Sequence, residues 1–342
     1  MKKILSLMLV FAMLFSFAGC ATTENVDNTT TENADASSYY PVTVTDQAGR
    51  QVLIEEEPQK LVSGYYISTS LLIALELDEK LVGVEAKADK RAIYGLAAPD
   101  LIELPNVGTA KEFDLEGCAA LEPDLVILPL KLKNVVETLE GLGIDVLLVN
   151  PENQELLTEM INIIAEATNT KNKSEALINF ISLQQEYLSN ALDDAETPKV
   201  YLAGNSDLLF TAGKAMYQSD LIRLAGGINV AAEIADTYWV EIDYEQLLTW
   251  NPEYIILASD AAYTVGDVLN NPAIKDCDAV KNAKVYQMPD KAEAWDSPVP
   301  GGILGALWLA NILHEDAVSD SDYNAKVDEY YETFYNFTYS EN

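Results

Sequence analysis

One phrase of this chain occurs twice. Residues 115–128 read LEGCAALEPDLVIL, and residues 244–257 read YEQLLTWNPEYIIL. The two align without a gap: Glu116 on Glu245, Leu121 on Trp250, Pro123 on Pro252, Asp124 on Glu253, then an apolar run on an apolar run. Each copy is a short amphipathic helix, a Pro that ends it, and a β-rich run that reads as a buried parallel strand. Two copies predict two similar α/β halves. Helix, Pro, acid and strand is also a common α/β phrase, so the flanking sequence must decide between duplication and coincidence.

The flanks favour duplication. Residues 42–45 and 51–54 alternate apolar and polar around a turn at 46–49, which is a β-hairpin. A strand is expected to begin at 61–63, followed by a helix with Ser68, Thr69 and Ser70 as capping candidates. A strand at 81–85, the first repeat, a helix at 132–142 and a strand at 145–150 complete the first half. Strands and helices alternating this closely make a doubly wound sheet whose ligands sit beyond the carboxyl ends of the strands. Those ends are residues 64–70, 85–91 and 129–133.

Residues 153–193 are helical in pattern, with a break expected at 169–172. The piece 173–192 has no Gly or Pro and would be ~30 Å long, enough to run from one half to the other. Strand pattern restarts at 199–203, and the second repeat follows. A helix near 265–269, a strand at 285–288, an apolar helix at 302–313 and an aromatic-rich helix at 323–337 finish the chain. The apolar helix is too short for a membrane and reads as core. The expected fold class is α/β: two doubly wound lobes with mainly parallel sheets, one long joining helix and a ligand cleft between the lobes. The expected boundaries are 41–168 for the first lobe, 169–197 for the interdomain helix and 198–342 for the second lobe.

The amino terminus reads as an address. Lys2 and Lys3 precede an apolar run at 4–17, then Ala18, Gly19 and Cys20. This is the layout of a secretory signal peptide at 1–19, too short to span a membrane comfortably. The small residues before Cys20 resemble a bacterial lipobox, with Phe17 standing where an aliphatic residue is usual. That resemblance implies acylation of Cys20 and an extracytoplasmic protein held to the cell membrane by lipid alone. Residues 21–38 are polar without periodicity, so the stretch 20–40 reads as a disordered tether.

Charge and rare residues exclude several functions. A formal charge of −34 leaves no basic face for nucleic acid or for anionic lipid. The single histidine, His314, argues against a multi-histidine metal site and against most histidine catalysis. No nucleophile elbow or phosphate loop is present, so an anchored surface enzyme is the weaker alternative, and no cofactor is expected. An adhesion module would explain the anchor but not a cleft with convergent aromatics. Beyond Cys20, Cys118 and Cys277 lie one in each half; free buried thiols are the expectation, with a disulfide the alternative.

The order of segments then resembles a known family. It runs from lipoprotein signal and hairpin to KLVSGYYISTSLLIALELDEKLVGV, the first repeat, the long helix and WDSPVPGGILGALWLANIL. Nearly everything after Tyr40 is similar to the substrate-binding proteins of ABC importers that serve iron–siderophore complexes, cobalamin and haem. The family pattern is matched at Asp114, Leu115, Glu116, Leu121, Pro123, Asp124, Leu125, Val126 and Ile127, and more weakly at Tyr244, Glu245, Leu248, Pro252 and Ile255. The resemblance implies a monomeric receptor in which Glu116 and Glu245 dock on arginines of a two-fold permease driven by a cytoplasmic ATPase. A carboxylate in the first turn of a helix is favoured by the helix dipole in any case, so capping alone is the alternative for each.

For the cleft, the candidate ligand-binding residues are Tyr65, Tyr66, Lys87, Arg91, Lys111, Phe113, Lys131, Tyr217, Tyr238, Trp239 and Trp295. Aromatic walls with a few cations suit a bulky, rigid, anionic or electron-rich ligand, through stacking, cation–π contact and charge-assisted hydrogen bonds. A ferric siderophore fits, and a cobamide nearly as well. Haem with an axial His is disfavoured, because His314 lies late in a core helix, while Tyr or Met ligation stays open.

Overall fold

The computed structural model describes residues 39–235 and 239–341. The signal segment, Cys20, nearly all of the tether and Tyr238 lie outside the described residues.

The hairpin forms where its alternation predicts, as β1 (Val42–Thr45) and β2 (Gln51–Ile54) in antiparallel register. The buried Asp46 carboxylate holds the turn: it accepts from the backbone N–H groups of Ala48 and Arg50, from the Arg50 guanidinium, and from Leu148 N–H in the sheet beside it.

The first sheet contains β3 (Leu61–Ser63), β4 (Leu81–Gly83), β5 (Leu125–Pro129) and β6 (Asp145–Val149), in the order β4-β3-β5-β6 and all parallel. The second contains β7 (Lys199–Ala203), β8 (Phe210–Ala212), β9 (Ile228–Asn229), β10 (Trp239–Glu241), β11 (Tyr254–Leu257) and β12 (Val285–Gln287). Its path is β10-β8-β7-β11-β12, with β9 beside β7. Here β7, β9, β11 and β12 are parallel, whereas β8 runs antiparallel to β7 and pairs antiparallel with β10 on its other side. The antiparallel pair is an addition that the sequence pattern does not reveal, because β10 is short and only partly buried.

The duplicated phrase holds in three dimensions. The helices Leu115–Ala120 and Tyr244–Trp250 are capped by Asp114 and Asp243, whose carboxylates each accept an N–H two residues inside the helix, from Gly117 and Gln246, at 2.8 Å. Aligned residues Glu122 and Asn251 both turn the chain through positive φ, at 49° and 45°. The next aligned pair sets strand register. Asp124 accepts from the N–H groups of Gln59 and Lys60, and Glu253 accepts from Lys199 N–H. Each acid thereby satisfies the donors at the start of the neighbouring parallel strand, where no ladder partner exists. Leu61 then pairs with Leu125, and Val200 with Tyr254.

Several boundaries are corrected. Ser68, Thr69 and Ser70 do not cap: the helix Tyr66–Ala74 starts before them, and all three hydroxyls are buried within it. The strand expected at 81–85 stops at Gly83, which lets Glu85 turn into the core. The helix expected at 132–142 is only Val136–Glu140.

The joining segment is two helices, Gln154–Ala167 and Lys171–Ala191, broken by Asn169 at φ 56°. The second packs against Gly302–Leu313, the apolar helix, which also meets the final helix Asp320–Tyr335. That final helix reaches back to Tyr66–Ala74 in the first lobe. A single apolar cluster therefore runs without interruption through both lobes, including Leu71, Leu72, Ile161, Phe180, Leu188, Ile303, Leu307 and Tyr330. Two smaller clusters lie on the other faces of the two sheets, one holding Cys118 and the other Cys277. Both thiols are free and buried, and burial pushes that of Cys118 up to about 11.

Phe180 belongs to the shared core, with ring centroids 5.4 Å from Tyr330 and 5.8 Å from Phe334. Phe180→Ala is expected to cost about 3–5 kcal/mol in urea unfolding. The loss should come with one transition, coincident by tryptophan fluorescence and far-ultraviolet circular dichroism. Two separated transitions would show that the lobes do not share a core.

Candidate ligand cleft

The carboxyl ends of the parallel strands converge on a cleft between the lobes. From the first sheet come Tyr65 and Tyr66 after β3, Arg91 beyond β4, Lys131 after β5 and Glu152 after β6. From the second come Asn205 after β7, Tyr217 and Gln218 at the start of the helix that follows β8, Ser259 and Asp260 after β11, and Ala294, Asp296, Ser297 and Pro298 beyond β12. Trp239 enters from β10. Gly204 permits this: a Cβ there would lie 3.0 Å from both the Trp239 ring and Phe210, so the indole lies against bare backbone at the end of β7. The resulting chamber has a volume of about 330 Å³.

A second, smaller chamber of about 180 Å³ adjoins it. Tyr66, Arg91, Ser259, Asp260 and Ala294 line both. The Arg91 guanidinium lies over the Tyr66 ring at 4.1 Å from its centroid, and Tyr65 meets Tyr66 edge-on at 5.4 Å. The Tyr66 hydroxyl donates to Ser297 Oγ across the cleft at 3.1 Å. Beneath these rings a buried network fixes the start of their helix. Thr69 and Tyr94 donate to the two Glu85 oxygens at 2.7 Å, and Ser63 and Ser68 share a hydrogen bond at 2.8 Å.

Burial governs the electrostatics. It raises the pKa of the Glu152 carboxyl against the opposing pull of Lys131, and that of Asp296 against the hydroxyl and N–H of Ser259. Among the described residues, Arg91 Nε and Gln218 Oε1 of the lining are buried polar atoms without a hydrogen-bond partner. Such groups are costly unless something else satisfies them.

Of the residues expected in the cleft, the fold brings together Tyr65, Tyr66, Arg91, Lys131, Tyr217 and Trp239. Tyr217 contributes little surface, being buried with its hydroxyl accepting from Gln154 Nε2 at 2.8 Å. Lys87 and Lys111 are exposed and line neither chamber. Phe113 packs beside Gly64 with the outer cluster of the first lobe. Trp295 is a correction: it is fully buried, donates to the Tyr331 hydroxyl at 2.9 Å and stacks on Tyr339. Its aromatic neighbours on and after the final helix claim the ring for the core. Sequence reasoning missed Glu152, Asn205, Gln218, Ser259 and Asp260, although the position of Ser259 and Asp260 just beyond a repeat strand was a usable signal.

Glu116 and Glu245 are both exposed in the first turns of their matching helices. His314 follows the helix Gly302–Leu313 and faces Gly226, outside the cleft lining. Among the described residues no cluster of His, Cys, Asp or Glu could hold a metal ion, and no helix is long and apolar enough to cross a membrane.

Two α/β lobes with a cleft at the strand ends are suited to holding a small solute. Residues 61–292 match the periplasmic binding protein family, and the chain belongs to it. The molybdate-binding protein MolA of Haemophilus influenzae is 26% identical over 323 residues, 86% of this chain and 91% of that one. The vitamin B12-binding protein of Salmonella choleraesuis is 27% identical over 235 residues, 65% of this chain and 81% of that one. The solved structure of MolA with molybdate superposes with a TM-score of 0.76 at 24% identity, over 87% of this chain and 99% of that one. Helicobacter pylori CeuE with Ni(II) gives 0.76 at 22%, over 88% and 98%. The protein is an ABC-importer substrate-binding protein and not an enzyme.

One carboxyl at the back of the smaller chamber generates a pH prediction. Glu293 is buried, accepts from Ser70 in the first lobe, and accepts from Tyr331 at 3.3 Å. Burial raises its pKa to about 7, against the opposing pull of those two hydroxyls. The folded state thus prefers the protonated form. Its contribution is full below the unfolded value near 4.5 and is lost as pH rises to about 7. Glu293→Gln, which cannot ionise, is expected to gain on the wild type by on the order of 3 kcal/mol between those limits, read as unfolding free energy against pH. A pH-independent difference would refute this.

Proposed function

We propose that the protein captures an oxygen-rich metal chelate, foremost a ferric siderophore, in the interlobe cleft and delivers it to a two-fold ABC permease. The observation that carries the reading is Arg91: its guanidinium is spread over Tyr66 at the junction of the chambers, with Nε buried and unpartnered. A planar donor in that setting suits anionic oxygens, and Lys131 adds a second cation on the same side. Tyr65, Tyr66 and Trp239 offer flat apolar surface for the ligand body. Lys87, Lys111 and Phe113 are left out of this site.

A bare metal oxyanion is the second reading. It is favoured by the modest chamber of about 330 Å³ and by the molybdate ligand named for MolA. A ferric hydroxamate and a haem are of similar size and would each extend beyond a chamber of that volume, and a cobamide would extend further.

Quenching of tryptophan fluorescence, for which Trp239 is placed, should separate these when ferric hydroxamates, ferric catecholates, cobalamin, haem and molybdate are titrated. A ferric chelate is expected to bind, and Arg91→Ala to weaken it by roughly ten- to a hundredfold, the worth of a charge-assisted hydrogen bond of about 1.5–3 kcal/mol. Silence toward the ferric chelates would reject the first reading, and molybdate alone binding would establish the second.

Delivery rests on Glu116 and Glu245, one exposed carboxylate on each lobe in equivalent geometry, which suits a two-fold partner bearing arginines. The lobes in this reading are 41–168 and 198–342 about the linker 169–197, with acylated Cys20 as the anchor. In cells, the Glu116→Ala and Glu245→Ala double variant should keep ligand affinity and lose uptake, whereas Cys20→Ala should release the protein from the membrane. Uptake at the wild-type rate by the double variant would remove the docking role.

A further inference from the structure

The smaller chamber is not explained by the capture of anionic oxygens, because its chemistry is of the opposite kind. Its walls carry the carboxylates of Asp260, Asp290 and Glu293. The lysine at its edge, Lys90, is 74% exposed and paired with Asp89 at 2.9 Å, so it faces water. Arg91 forms the partition with the larger chamber through its stack on Tyr66. Two lining hydroxyls already donate to acids of the site. Ser70 donates to Glu293, and Ser259 donates to Asp296.

The two spaces belong to one site. They share five lining residues, among them the stacked pair Arg91 and Tyr66. A molecule held by Arg91 therefore lies against the mouth of the second space. That space, about 180 Å³, corresponds to roughly six water-sized groups, enough for a short chain ending in a polar atom. Glu293 is rigidly placed: Ser70 lies on the first-lobe helix, Tyr331 on the final helix, and Gly301 passes so close that a Cβ there would meet the carboxylate. A pre-set acceptor of this kind costs little ordering when a donor arrives.

We infer that the smaller chamber is a second subsite of the ligand site, taking an amine- or hydroxyl-terminated arm of the same chelate whose oxygens meet Arg91. The inference rests on the chelate reading above and narrows it: the ligand is two-faced, with acceptors around the metal and a hydrogen-bond donor at the end of an arm. Ligands lacking the arm leave Asp290 in water and Glu293 with only its two protein donors, and forgo that part of the affinity.

The test uses a pair of probes that differ only in the arm: ferrioxamine B, with its terminal amine, and its N-acetylated form. Both are titrated into the full chain by isothermal calorimetry at one salt concentration. The amine probe is expected to bind at least tenfold more tightly. At pH 8, above the value of about 7 for Glu293, Asp290→Asn, at an exposed position, and Glu293→Gln should each shrink that ratio toward one. Equal affinities for the two probes would overturn the second subsite and leave the chelate reading standing. Binding of neither probe would overturn the second subsite, and silence toward ferric catecholates as well would overturn the chelate reading.

Discussion

The fixed relation of the two lobes depends on one apolar core that neither lobe owns. Phe180 and Leu188 from the joining helix, Ile303 and Leu307 from the apolar helix, and Tyr330 and Phe334 from the final helix pack with Leu71 and Leu72 of the first lobe. Opening the cleft widely would drag apolar surface into water at about 25 cal/mol per Å². Polar ties cross the same junction: Tyr66 to Ser297, Ser70 to Glu293, Ile93 N–H to the Ala292 carbonyl, and Gln154 to Tyr217. A cleft held this way is largely formed before its ligand arrives, so little affinity is spent on ordering it.

Electrostatics sharpen that preformed site. The chain carries a formal charge of −34, and most of its acids are solvated surface. Against that field Arg91 and Lys131 stand where strands end, and Arg91, half-buried, acts at a lower effective dielectric than exposed lysines do. The carboxyls nearby, Glu152, Asp296 and Glu293, are all pushed toward their protonated forms by burial. Selectivity thus comes from position relative to the strand ends, and net charge is a poor guide to what such a protein binds.

The repeated phrase explains why one architecture serves both lobes. In each copy an Asp caps a short helix, a residue with positive φ and a Pro turn the chain, and an acid then seats the neighbouring strand. The same geometry exposes one glutamate per lobe, at Glu116 and Glu245. The second lobe departs from the first by adding β8 and β10, and that addition delivers Trp239 to the cleft.

What the sequence determined by itself is whatever depends on neighbours along the chain. Apolar periodicity and turn chemistry located the hairpin, the repeat strands, the break at Asn169 and the apolar helix Gly302–Leu313, and the rule that ligands gather beyond strand ends put Tyr65, Tyr66, Arg91 and Lys131 among the candidates. Only the tertiary structure decided which aromatic goes where. Trp295 and Trp239 look alike as loop or edge tryptophans, yet Trp295 is drawn into the core by Tyr323, Tyr331 and Tyr339, far along the chain, while Gly204 leaves Trp239 a place in the cleft. The sharing of one core by both lobes, and the meeting of Glu293 with Ser70, were equally hidden. Packing between distant segments is set by complementary shape and by the partners left for each polar group, and local periodicity carries neither.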